Sequence, residues 1–291
     1  MPSLKGLRSR ISSVKSTKKI TSAMKMVAAA KLKRAQENAE ITKPYAKKMG
    51  DIVLSLTRNT KNPNLKFGAK NIKKQKNVLL IVCSADRGLC GGFNSSISKY
   101  TKNFSEKIKN SGLKSSYIFV GKKAYFSLKR YYENSVIDFF SDFANPSIKF
   151  DLASSIRDKI LELFLNNEID ECHLIYTRFK SAISQTVSSQ QLLPLENKEK
   201  TDDEEKLLSY DFEPNEEVIL DEIIPRNIAI QIHTALLENL ASEHGSRMTA
   251  MDNATRNADD MIDNLTLFYN RSRQALITKE LIEIISGAEA V

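Results

Sequence analysis

Apolar residues fall on a 3,4 repeat at both ends of the chain. Leu4, Leu7, Ile11, Val14, Ala28, Leu32, Ala35, Ala39, Ala46, Met49, Val53 and Leu56 share one such repeat, interrupted by Lys18, Thr21, Lys25 and Thr42. Toward the other end, Met251, Ala254, Ala258, Met261, Leu265, Phe268, Ala275 and Ile282 share a second, broken by Ser272 and Lys279. An apolar period of about 3.5 residues keeps one seam facing a partner helix in a left-handed coiled coil. We expect a first helix from near Ser3 to near Thr57, about 80 Å long at 1.5 Å per residue, with a kink or weak point at Pro44. From Arg226 onward there is no proline, and a second helix about 100 Å long is expected. No single globular domain can bury helices of that length, so each needs a partner along its course. The two ends are expected to wind around each other.

Between them the pattern changes. Residues 59–77 are polar, with Pro63 and Gly68, and read as a linker. Val78–Cys83 is a continuous apolar run, as in a strand buried on both faces. Short strands are also expected at Tyr117–Val120, Val136–Phe140 and Cys172–Thr177, with an edge strand at Gln185–Leu193. Helices are expected at Ser95–Asn110 and Asp151–Asn166. Strands alternating with helices imply a mainly parallel sheet. Residues 196–206 form a charge run, and Leu207–Pro214 reads as a short strand. The fold class expected is α/β: a long antiparallel coiled coil of N- and C-terminal helices plus a small Rossmann-like α/β domain. The division is 1–58, 78–195 and 207–291, with 1–58 paired to 226–291.

Charge is unevenly placed. Residues 1–60 hold fourteen Lys/Arg against three acids, whereas 226–291 hold six against nine. Opposite charges flanking a seam set partner and orientation; a basic helix also suits an acidic partner. Nucleic acid is disfavoured because the basic stretch has no interleaved aromatics before Tyr45. No apolar run is long enough to span a membrane, no apolar segment of a signal peptide follows the first basic residues, and the seam from Leu4 reads as structure rather than a transit segment. Cys83, Cys90 and Cys172 are odd in number and widely spaced, which argues for a reducing compartment without disulfides.

Candidate chemistry is sparse. The loop Ser84–Asn94 (SADRGLCGGFN) follows a strand and precedes a helix, where a phosphate-binding turn would sit, but it lacks both G-x-G-x-x-G and G-K-[ST]. Its glycines fit a tight turn. His173, His233 and His244 are scattered, with no metal-ligand spacing. No nucleophile–base pair can be assigned. We expect no catalytic residue, no cofactor and no metal. From Lys18 to Lys25 the seam turns polar while Ile20, Ala23, Met24 and Val27 place apolar character on another face: either a local stutter or a second contact surface. The end, Leu281–Val291 (LIEIISGAEAV), is unusually apolar for a terminus.

Four segments, in order, resemble one family. These are Lys19–Gln36 (KITSAMKMVAAAKLKRAQ), Ser84–Asn94, Ser184–Pro194 (SQTVSSQQLLP) and Ile277–Val291 (ITKELIEIISGAEAV). Together they resemble the γ subunits of F-type ATP synthases, and the resemblance covers the chain end to end. Departures concentrate in linkers such as 196–206. The cysteine-bearing insert of chloroplast relatives is missing, which points to a bacterial protein.

The resemblance implies a non-catalytic rotor shaft inside a ring of three α and three β subunits, turning with the ε subunit and a membrane-embedded c ring. It implies no membrane insertion of this chain, no nucleic acid, and a place on the cytoplasmic face of the bacterial inner membrane. It assigns β-subunit contacts to Met24, Lys18, Lys25, Arg273, Gln274 and Thr278, with Lys19, Lys31, Lys33 and Arg34 nearby. It assigns c-ring contacts to Tyr210, Phe212 and Glu213, where Phe212 replaces a family tyrosine. Ile282, Ile284, Ile285 and Val291 are expected in an apolar bearing. The residues alone leave two other classes open: a nucleotide-dependent α/β enzyme with a coiled-coil arm, and a basic nucleic-acid-binding coiled coil.

Overall fold

The computed structural model describes residues 3–59, 77–144, 147–182, 184–195 and 216–289. Among them five α-helices and five strands occur in the order α1 (Leu4–Asn59), β1 (Asn77–Cys83), α2 (Phe93–Asn110), β2 (Lys114–Val120), α3 (Lys122–Tyr132), β3 (Val136–Phe140), α4 (Phe150–Leu165), β4 (Glu171–Phe179), β5 (Gln185–Leu193) and α5 (Glu216–Glu289), with a 3-10 turn at Glu133–Ser135. The chain divides into two compact units: residues 1–29 with 247–291, and residues 30–246.

The larger unit is built on a sheet of order β3-β2-β1-β4-β5. β1 pairs in parallel with β2 and β4, β3 pairs in parallel with β2, and β5 returns antiparallel to β4. The continuous apolar run of β1 follows from its place at the centre of two apolar layers. Leu79, Ile81 and Cys83 face a core shared with α4, with Val53 and Leu56 of α1, and with Leu220, Ile224, Ile228 and Ile232 of α5. Val78, Leu80 and Val82 face the opposite core, with Phe93 and Ile97 of α2 and Ala124 and Leu128 of α3. This alternation, apolar on both sides, distinguishes a central parallel strand from one with a wet face.

The structure departs from expectation in several places: α3 is a helix where none was expected, and β2 begins at Lys114 rather than Tyr117. α5 begins at Glu216 rather than near Arg226, and Pro225 lies inside it. Helix α1 is likewise assigned without interruption across Pro44. A proline removes one helical N–H bond, and at Pro225 the flanking turns are held by Ile224 and Ile228, both fully buried. The charge run 196–206 and the expected strand Leu207–Pro214 lie outside the described residues.

The smaller unit pairs the first turns of α1 with the second half of α5. Lys18 is paired with Asp259 and Lys25 with Asp252 (2.6 Å), so seven residues forward on one helix match seven backward on the other. Between them the Thr255 hydroxyl donates to that of Thr21 at 2.8 Å. The helices are therefore antiparallel.

Candidate interaction surfaces of the terminal helices

The α1 seam stands where its pattern put it. In the smaller unit Leu7, Thr21 and Ala28 are buried, and Leu4, Ile11, Val14, Lys18 and Lys25 are half-buried. The polar positions do not leave the seam, so there is no stutter. Thr21 sits in the interface against Thr255, and both lysines lie along it with their ammonium groups on carboxylates of α5. The carboxyl of Asp252 is held below its ordinary range, chiefly by the hydrogen bond from Lys25, with Arg256 adding a second positive charge.

The α5 seam departs from expectation. Met251 and Ala258 are buried and Leu265 and Ser272 half-buried, as the repeat requires. Met261 and Phe268, however, are 52% and 47% exposed, and Ile262 and Tyr269 take their places in the interface. Both members of each adjacent pair are apolar, so the pattern alone could not fix the phase. The structure selects the 4,3 alternation through Thr255, Ile262 and Tyr269.

Two apolar surfaces of the terminal helices are exposed among the described residues. On α1, Ile20 and Val27 are 60% and 57% exposed, and Ala23 between them is exposed as well. These residues, spaced i, i+3, i+7, form an apolar stripe away from the seam. Met24 beside them is half-buried, and Lys19 is exposed. In the larger unit Lys31, Lys33 and Arg34 are exposed, with Lys33 near Glu37 on its own helix.

The second surface is the end of α5. The register set by the two ion pairs brings Leu4 level with Arg273, and from there no described residue of α1 covers α5. Every side chain described over 273–288 is exposed, including Leu281, Ile282, Ile284 and Ile285. Arg273 and Gln274 lie at the start of this segment; the Thr278 hydroxyl donates back to the Gln274 carbonyl at 3.0 Å. Exposed isoleucines at this density are not a solvated face. Val291, Tyr210, Phe212 and Glu213 lie outside the described residues.

The loop 84–94 is closed on itself. The Ser84 hydroxyl donates to the Gly121 carbonyl and accepts from the Ala124 amide. Asn94 accepts from the Ala85 amide and donates to the Cys90 sulfur. Asp86 caps α3 through the Lys122 amide. Through these bonds Ser84, Asp86 and Asn94 tie the loop to β2 and α3. Among the described residues no group of three His, Cys, Asp or Glu could hold a metal ion, and no helix is long and apolar enough to cross a membrane.

Terminal helices that pair antiparallel, with a small five-stranded α/β sheet between them in sequence, define the class of fold. The sequence model of the ATP synthase family matches residues 3–291. The chain is 48% identical to the ATP synthase gamma chain of Pelagibacter ubique and 49% identical to that of Sinorhizobium medicae, each over the full length of both proteins. It belongs to the family of ATP synthase gamma chains. Among solved structures, a chain of the Tetrahymena thermophila mitochondrial ATP synthase central stalk and c ring is 27% identical, with a TM-score of 0.60 over 81% of this chain and 99% of that one. A chain of the Euglena gracilis mitochondrial enzyme, 19% identical, shares the fold with a TM-score of 0.68 over 99% and 94%.

Proposed function

We propose that this chain is the central-stalk rotor of a bacterial F-type ATP synthase. It has no active site of its own. It turns with the c ring and the ε subunit, and couples ion flow through the ring to ATP synthesis or hydrolysis at the β subunits of an α/β hexamer. The observation that carries this reading is the exposed end of α5: a helix whose isoleucines need a surrounding wall that the described residues do not supply. Three chemically identical β sites in a symmetric ring can differ only if something asymmetric lies on the axis. A helix pair in which one member outruns the other is such an object. Each β site then follows a population shift set by the face it meets.

The residue roles follow from the same reading. The apolar stripe of Ile20 and Val27, with Met24, meets a β subunit. Lys19, Lys31 and Arg34 supply charge toward acidic groups there. Lys18 and Lys25 belong to this level but hold α5 as well. Arg273, Gln274 and Thr278 form a directional polar catch on a β subunit, because charge-assisted hydrogen bonds prefer particular angles. Ile282, Ile284, Ile285 and Val291 turn in an apolar sleeve, because apolar contact is non-directional. Tyr210, Phe212 and Glu213 meet the loops of the c ring. Residues 1–58 and 226–291 act as one shaft carrying the 78–195 domain, on the cytoplasmic face of the inner membrane.

The test is co-purification. A tagged chain expressed with its operon partners should bring down α, β and ε subunits in a stable complex that hydrolyses ATP. Nucleotide turnover by the purified chain alone, with no partners retained, would favour the enzyme reading instead.

A further inference from the structure

β1 and β4 pair only as far as Val82 and Ile175, while β4 continues to Phe179 against β5. Beyond Ile175 the β1 side of β4 has no strand. A buried open edge leaves backbone donors and acceptors unsatisfied. Here α5 fills the place. The Asn239 carboxamide oxygen accepts from the Thr177 amide at 3.1 Å, and the Ser242 hydroxyl donates to the Thr177 carbonyl at 3.1 Å. Asn239 and Ser242 are 2% and 0% exposed. Two side chains one helical turn apart thus grip both polar groups of one strand residue.

The grip continues along the helix. Gln231 accepts from Gln190 of β5 at 2.8 Å. Ser246 donates to the Gln185 carboxamide oxygen, while the Gln185 nitrogen donates to the Ala182 carbonyl at 3.0 Å. At Gly245 an added Cβ would lie 3.0 Å from the Gln185 nitrogen and 3.4 Å from the Ala182 Cα, so the helix rests close against the β4–β5 hairpin. Apolar packing sets which face of α5 meets the sheet, but its contacts are non-directional and resist small rotations only softly. Hydrogen bonds to a fixed backbone resist them directionally.

We propose that Asn239 and Ser242 are positioning residues that key α5 to the sheet by completing the open edge of β4, so that torque passes between the shaft helix and the α/β domain without slip. The inference rests on the rotor reading. The alternative is that these bonds merely satisfy a strand end and any well-packed substitute would serve.

The experiment uses the chain assembled with α and β subunits, with a bead on a cysteine introduced by Lys109→Cys at the exposed end of α2. Cys83, Cys90 and Cys172 are all buried, and burial pushes the Cys83 thiol up to about 12, so within this chain the introduced thiol is the one labelled; this chain is labelled before assembly with the α and β subunits. In Asn239→Leu the Thr177 amide should lose about fivefold or more of its exchange protection, the worth of one net hydrogen bond, whereas Ser242→Ala removes the donor to the Thr177 carbonyl and is read by the bead alone. The angular variance of the bead within a dwell should rise about twofold. Asn239→Asp keeps an acceptor for the Thr177 amide, so despite the cost of a buried carboxylate its variance should stay below that of Asn239→Leu. Ser242→Ala is the milder change and keeps the test open if Asn239→Leu fails to assemble. Unchanged variance in Ser242→Ala, or in an Asn239→Leu complex whose Thr177 protection has fallen, overturns the proposal, as does unchanged Thr177 protection in Asn239→Leu. A wild-type bead that never rotates would instead bring down the rotor reading, and this proposal with it.

Discussion

The phase of the α5 seam gives a prediction with opposite outcomes at adjacent residues. Ile262 is half-buried against α1, whereas Met261 is 52% exposed. Full burial of an isoleucine side chain is worth about 1.5–3 kcal/mol, so its half-buried state contributes about 1 kcal/mol. Ile262→Asp removes that and brings a carboxylate into the interface, at a further cost of about 1–2 kcal/mol. It also stands three residues from Asp259, where like charges repel by a few tenths of a kcal/mol. The total is about 2–3 kcal/mol, or roughly 30- to 150-fold in the opening equilibrium. Met261→Asp changes an exposed position and should stay within about 0.5 kcal/mol. Hydrogen exchange read by mass spectrometry on the full chain reports this directly. Peptides from 11–21 and 255–269 should lose protection in Ile262→Asp and keep it in Met261→Asp. Tyr269→Asp against Phe268→Asp repeats the comparison one heptad on. Equal losses, or a larger loss at Met261, would refute the seam described here.

Gly121→Ala should prevent stable folding of the sheet domain, since its φ is +104° and the new Cβ would lie 2.2 Å from the Ser84 carbonyl oxygen. Gly50→Ala, mid-helix with nothing within 4 Å, should instead raise the thermal midpoint by an amount equivalent to about 0.5–1 kcal/mol. Because the Asp252 carboxyl is held below its ordinary range, the stability it adds is present above that ordinary range and lost as pH falls through the lowered value. Circular dichroism from pH 6 to 2 should show an acid-induced loss of terminal helix that is smaller in Asp252→Asn. In the assembled complex, Arg273→Leu or Gln274→Leu should lower steady-state ATP turnover, while removing the last few residues should lower assembly stability and leave rotation; full turnover in both point variants contradicts the catch.

Much of the architecture could be read from residue order alone, for identifiable reasons. The α1 seam was legible because only one register of its apolar residues is consistent from Leu4 to Leu56. β1 was legible because a strand covered on both faces has no polar position to blur it, and β5 because its short polar side chains mark an edge. The phase of α5 was not legible: Met261–Ile262 and Leu267–Phe268–Tyr269 offer apolar residues to both registers. Pro225 hid the helix start, since a proline reads as a boundary unless buried neighbours hold the turns around it. The polar breaks at Lys18, Thr21 and Lys25 were visible, but their partners Asp259, Thr255 and Asp252 lie more than two hundred residues away and carry no local signal. Asn239 and Ser242 look like ordinary polar residues in a helix; only the end of β1 relative to β4 gives them a task.

Rotation tests the central claim most directly. With the α/β hexamer fixed to a surface and a bead on this chain, ATP should drive turning in one direction, with dwells that repeat according to the threefold symmetry of the ring. A complex that hydrolyses ATP at full rate while the bead stays still, or moves without direction, would contradict it.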